Sequence, residues 1–146
     1  MKIHTIGYTG KSAEEFFNLL ESYGIERLLD VRLKNTSQLA GFSKKQDLEF
    51  FLGRLLGTEY HHLDFLAPTS ELRNAYQESG EDWELYVREF SRLLEERRVL
   101  ERLDRDFFAH KRCCLLCSEP TPERCHRRLV AEYLGDSWPD VEIVHL

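Results

Sequence analysis

The first forty residues read as strand, capped helix and second strand in immediate succession, and this order constrains the fold more than any other feature of the chain. Residues 2–6 form a short apolar run that ends in Gly7-Tyr8-Thr9-Gly10. Ser12 and Glu15 then have the spacing of a capping box, in which hydroxyl and carboxylate satisfy backbone N–H groups at a helix start. Phe16, Phe17, Leu20 and Tyr23 follow at helical spacing on one face, and Gly24 stops the helix. Residues 26–32, with Leu28, Leu29 and Val31, supply the second strand. A strand–helix–strand crossover is right-handed and leaves its two strands parallel, and a parallel sheet must be covered on both faces. An α/β fold is therefore expected from this unit alone.

The remainder continues the alternation. A polar connection over residues 33–45 is long for a segment without structure of its own, which makes it a candidate functional loop. A helix is predicted over residues 46–56 on Leu48, Phe51, Leu52 and Leu55, and a short strand over 59–64. A modest helix starts at Thr69 after Pro68 and ends near Gly80. A long helix over 82–103 places Trp83, Tyr86, Val87, Phe90, Leu93, Leu94 and Leu100 on one face, aromatics that read as core. Residues 113–117 form a buried strand. Thr121 caps a helix over 122–134 with Pro122 at its first position and Gly135 closing it, and residues 141–146 end the chain as a strand. The expected architecture is a single α/β domain over residues 1–146, with a mostly parallel central sheet of about five strands and helices on both faces.

Composition narrows the function. A length of 146 residues with 42% hydrophobic content supports one core. No segment has the apolar length of a membrane span, so no membrane partner is expected, and the first residues lack the apolar region of a secretory signal. Four Cys, two of them adjacent in a strand, read as reduced thiols of a cytoplasmic protein. A net charge of −6 makes nucleic acid a disfavoured partner and leaves an anionic small molecule or nucleotide, provided the cations cluster locally. Lys11, Arg32, Lys34, Lys44, Lys45, Arg124, Arg127 and Arg128 lie near the glycine-rich and cysteine-rich segments, where they form such a cluster if those loops converge.

The densest chemistry lies in residues 117–127, where Cys117, Glu119, Cys125, His126 and Arg127 share one strand-to-helix connection. Such a loop combines a strand's carboxyl end with a helix N-terminus, where orphan N–H groups favour anions and thiolates. In open parallel sheets the binding crevice lies beyond the carboxyl ends of the strands. That rule gathers Gly7, Tyr8, Gly10, Asp30 and Arg32 around the same place. Gly7-Tyr8-Thr9-Gly10-Lys11-Ser12 is not a phosphate loop, because two residues separate its glycines where that motif requires four. Asp30 and Arg32 flank Val31 on one side of a strand, as an ion pair would. A metal is not expected: Cys114 and Cys117, three apart in a strand, point to opposite faces, and Cys125 and His126, adjacent on a helix, diverge. No cofactor is expected either.

Taken together, Ile6-Gly7-Tyr8-Thr9-Gly10, Asp30-Val31-Arg32, Phe42, Leu116-Cys117-Ser118-Glu119 and Cys125-His126-Arg127 resemble the domain-of-unknown-function 488 family, in order and over nearly the whole chain. The resemblance implies the family's fold and places Gly7, Tyr8, Asp30, Arg32, Cys117, Glu119, Cys125, His126 and Arg127 on its motif positions, without supplying a reaction. Leu33-Lys34-Asn35 departs from the small residue and proline expected after the arginine. Two function classes follow from the residues. One is an enzyme acting on a phosphorylated or nucleotide-like substrate, with Arg32, Arg127 and backbone N–H groups holding the anion, Glu119 or His126 moving a proton, and Cys117 as the nucleophile if the reaction uses one. The other is a binding or sensor module for a nucleotide, a nucleic-acid end or another anionic ligand. A pocket that needed only charge would not require thiol, carboxylate and imidazole together, which favours the enzyme.

Overall fold

The computed structural model describes residues 1–36 and 41–146. Five strands, β1 (Lys2–Gly7), β2 (Arg27–Asp30), β3 (Glu59–His62), β4 (Cys113–Cys117) and β5 (Glu142–His145), form one sheet in the order β3-β2-β4-β1-β5. Every neighbouring pair is parallel, as the crossover argument requires. Among the described residues the α-helices are α1 (Ala13–Ser22), α2 (Lys45–Phe51), α3 (Ser70–Glu78), α4 (Trp83–Glu96), α5 (Val99–Arg102), α6 (Arg105–His110) and α7 (His126–Ser137).

Strand periodicity divides the interior into two cores. Cys113 and Leu115 of β4 pack with Phe90, Phe108 and Val130 from α4, α6 and α7, while Cys114 and Leu116 face Phe16, Leu20 and Leu48 from α1 and α2. Burying each large apolar side chain stabilises the fold by about 1.5–3 kcal/mol. The connections from β1 to β2 and from β2 to β3 run one way across the sheet and carry α1 and α2 on one face. Those from β3 to β4 and from β4 to β5 run back and carry α3 to α7 on the other. Right-handed crossovers demand this division. The connections leaving the neighbours β2 and β4 run in opposite directions, and such a point is where these sheets open a crevice.

Several expected elements differ in detail. The helix expected over 82–103 breaks at Arg98, whose backbone is left-handed at φ 53°, and the next turn is rotated so that Val99 is fully buried while Leu100 is 37% exposed. Sequence periodicity missed α6, although Asp104 caps it by accepting from Asp106 N–H and Phe108 anchors it in the core. Beyond α2 the chain widens into a π-type turn over Leu52–Leu56, which leaves Leu55 exposed and packs Leu56 against the core. The Ser12–Glu15 cap and the Gly24 stop of α1 are present, but Tyr23 lies at the helix end and is largely exposed. α7 begins at His126 with Cys125 as its N-cap. Thr121 and Pro122 lie in the preceding turn, where the Pro122 carbonyl accepts from Cys125 N–H, and Gly135 lies inside the helix. The expected functional loop over 33–45 includes residues 37–40, which lie outside the described residues.

Candidate functional site

The sheet register sets three strand ends side by side. Gly7 of β1 pairs with Cys117 of β4, and Asp30 of β2 pairs with Leu116. Beyond the sheet the loops are laced together. Thr9 N–H donates to the Ser118 carbonyl at 3.1 Å, Val31 N–H to the Leu116 carbonyl at 3.1 Å, and His126 Nε2–H to the Val31 carbonyl at 2.6 Å. A cleft of ≈ 350 Å³ opens over these ends, and Tyr8, Arg32, Cys117, Glu119, Cys125 and His126 all line it. Its other cations are Lys34, Arg73 and Arg124, against the carboxylates of Glu81 and Glu119, so its lining carries an excess of positive charge on an acidic protein.

Four residues expected at the site do not line it: Asp30, Arg127 and Gly7 are buried beneath it, and Gly10 is exposed beside it. Asp30 is fully buried and accepts from Arg32 Nε at 2.8 Å, Arg32 Nη2 at 2.9 Å, Asn35 Nδ2 at 3.4 Å and the Tyr60 hydroxyl. Burial alone would raise its pKa, but these donors and the Arg32 charge hold the carboxyl below the usual range. Asp30 thereby aims the Arg32 guanidinium, which also lies 5.3 Å from the centre of the Tyr8 ring. Arg127, expected to bind an anion, is fully buried. Its Nη1 donates to the Glu119 carbonyl at 2.8 Å and to Cys125 Sγ at 3.4 Å, and Nη2 has no hydrogen-bond partner among the described residues. Gly7 is the seat of that carbonyl: a β-carbon there would stand 1.7 Å from Glu119 O. Gly10 supplies a left-handed turn at φ 81° with open space around it.

Cys117 is 4% exposed at the cleft floor. Its sulfur lies 3.5 Å from His126 Nδ1 and 3.9 Å from Nε2. Because Nε2–H is committed to a carbonyl, Nδ1 carries the lone pair in the neutral ring. A hydrogen bond from the Cys125 thiol holds the Cys117 thiol below its ordinary pKa against the effect of burial, with help from the Ser118 and Glu119 backbone N–H groups and the Arg127 charge. Cys125 is pushed up in turn, since it keeps the proton it donates and is itself buried. Burial raises Cys113 to about 12 and Cys114 further. The four thiols are thus chemically distinct.

Cys125 and His126 do not diverge as helix neighbours would. Cys125 is the N-cap, with extended backbone at φ −132° and ψ 138°, so its side chain leaves the helical spiral. One ligand atom each from Cys117, Cys125 and His126 lies within 4.8 Å of the others. Sequence reasoning also missed residues of the opposite wall. Arg73, Tyr76 and Gln77 from α3 line the cleft, as do Trp83 and Tyr86, whose helical spacing reads as core. The spacing i, i+3, i+4 of Arg73, Tyr76 and Gln77, on a helix that buries only Leu72, was the available signal.

The family model described as Domain of unknown function DUF488 matches residues 12–134. The chain belongs to this family. No curated protein and no solved structure matches the chain. The matched span contains Asp30, Arg32, Cys117, Glu119, Cys125, His126 and Arg127, while Gly7, Tyr8 and Gly10 precede it.

Proposed function

We propose that this chain is an enzyme that acts on a phosphorylated or nucleotide-like substrate with Cys117 as its nucleophile. The observation that carries this reading is the position of Cys117 Sγ: at the floor of a cation-lined cleft, against an imidazole and beneath backbone N–H groups. Arg32, Lys34, Arg73 and Arg124 hold the anion. The thiolate attacks the electrophilic phosphorus or carbon, so that a bond to sulfur forms as the bond to the leaving oxygen breaks. Glu119, or His126 once its Nδ1 has taken the Cys117 thiol proton, delivers the proton which that oxygen takes up. Water then cleaves the bond to sulfur, returns a proton to the same group and regenerates the thiolate. Arg127 acts from below by fixing the Glu119 carbonyl and placing its charge near the sulfurs. A positioning role replaces the direct ligand contact expected from sequence.

The test is a turnover screen of the reduced protein against phosphomonoesters, nucleotides and activated esters, followed by Cys117→Ser and Glu119→Gln. Turnover that Cys117→Ser abolishes while anion affinity stays within about twofold supports the reading. Turnover that survives Cys117→Ser removes the nucleophile. Calorimetric binding of one anion with no turnover across the screen establishes the sensor function instead.

A further inference from the structure

We infer that Cys117, Cys125 and His126 form a binding site for a soft divalent cation of the zinc type, and that loading it takes Cys117 out of service as a nucleophile. The inference goes beyond the proposed activity, because cation binding stands or falls without any turnover. Zinc bonds of about 2.3 Å to thiolate and about 2.0–2.1 Å to imidazole put tetrahedral ligands about 3.8 Å apart for two sulfurs and about 3.5 Å apart for sulfur and nitrogen. The observed separation of Cys117 Sγ from His126 Nδ1 is 3.5 Å, and all three ligand atoms lie within 4.8 Å of one another.

The surroundings also fit a metal centre. A ligating histidine needs its second nitrogen held by an acceptor, and His126 Nε2–H already donates to the Val31 carbonyl at 2.6 Å, leaving Nδ1 for the cation. Arg127 Nη1 lies 3.4 Å from Cys125 Sγ, where it compensates thiolate charge from outside the ligand set. The Cys117 sulfur is also only 3.9 Å from Nε2, so it rests against the ring face, and binding requires the Cys117 side chain to swing toward the Nδ1 lone pair while the Nε2–H bond to the Val31 carbonyl keeps the ring in place. All three ligands are buried and all three line the cleft, so a fourth, exchangeable position faces the cleft. Two thiolates with one imidazole select zinc over magnesium or calcium, which prefer oxygen.

The experiment uses the reduced full chain, stripped of metal and titrated with Co²⁺. Binding at the site gives one equivalent of sulfur-to-cobalt charge-transfer absorption in the near ultraviolet with tetrahedral visible bands, both abolished by one equivalent of Zn²⁺. Cys125→Ser and His126→Asn each lower Co²⁺ affinity at least tenfold, and Zn²⁺ slows alkylation of Cys117 in the wild type by at least tenfold. Far-ultraviolet circular dichroism of each variant confirms that it is folded. Absence of thiolate charge transfer at stoichiometric Co²⁺ overturns the inference, as does charge transfer that persists unchanged in Cys117→Ser. Loss of turnover in the screen above, with cobalt binding intact, counts against the proposed enzyme and leaves the metal site standing.

Discussion

Gly7→Ala tests the site's construction at its most demanding contact. The added methyl carbon would stand 1.7 Å from the Glu119 carbonyl oxygen and 2.8 Å from its carbon, atoms of main chain with no rotamer to escape into. The loop must lift, and the lift breaks the 2.8 Å bond from Arg127 Nη1 to that oxygen. Overpacking of this kind costs about 1–3 kcal/mol, and loss of a charge-assisted hydrogen bond in a buried site costs about 1.5–3 kcal/mol, for a sum of about 2.5–6 kcal/mol. Arg127 Nη2 already has no partner among the described residues, so they have little spare solvation to offer the guanidinium. In a chain of this size, at about 3 °C per kcal/mol, such a loss lowers Tm by about 8–18 °C. Gly10→Ala is the control: its cost comes from the left-handed backbone, about 1–2 kcal/mol, because no described residue lies within 4 Å of the new methyl. Urea unfolding of the two variants beside the wild type gives both numbers. If Gly7→Ala costs no more than Gly10→Ala, the Glu119 carbonyl is not seated on Gly7 and the account of Arg127 as the loop's anchor fails.

Native-state alkylation followed by mass spectrometry should modify Cys117 first near neutral pH. Cys125 should lag because it holds its proton, and Cys113 and Cys114 should wait for unfolding; labelling of Cys125 ahead of Cys117 would reverse the assignment of thiolate and donor. Asp30→Asn should cost about 3–5 kcal/mol by leaving the buried Arg32 charge unpaired. Since the folded state holds the Asp30 carboxyl below its ordinary value, that stabilisation is present above the ordinary carboxylate range and is lost as pH falls through the folded value. Urea unfolding from pH 7 down to pH 3 should therefore show an acid limb in the wild type that is shallower in Asp30→Asn. Arg73→Ala and Arg124→Ala, at exposed positions on the rim, should each weaken anion binding about two- to fivefold at low salt and scarcely at 0.5 M salt. A salt-independent effect would mean that they contribute something other than charge.

The fold was legible wherever local chemistry and the parallel-sheet rule agreed. The capped α1, the apolar β4 and the crossover order require no information about distant contacts, and they deliver a parallel α/β sheet. The errors arose where a tertiary contact overrode a local preference. Thr121-Pro122 has the form of a helix start, but the chain first has to lay Glu119 on Gly7 and Arg127, so α7 begins only at His126. That shift of a few residues changes the chemistry. It moves Cys125 from the helix to the cap and turns two side chains expected to diverge into neighbours around one sulfur. Arg127 and Asp30 were legible as site residues by type and position, but not as buried supports, because the pattern of a strand end does not distinguish a charge facing ligand from one facing its own partner.

The convergence of the three loops follows from the position of β4 within the sheet. The chain builds β1, β2 and β3 outward and then returns to insert β4 between β1 and β2, so the carboxyl end of β4 is flanked by those of the first two strands. Cys117 therefore reaches the sheet's edge with Gly7 on one side and the Asp30–Arg32 pair on the other, whatever the intervening helices do. The reversal of direction at β4 puts α1 and α7 on opposite faces and leaves the space above Cys117 uncovered by either. The long return through α3 and α4 supplies the remaining wall, with Arg73, Tyr76 and Trp83. A change confined to that return can reshape the ligand wall without disturbing the sulfur at the floor, since the hydrogen bonds that define the floor run among β1, β2, β4 and the start of α7.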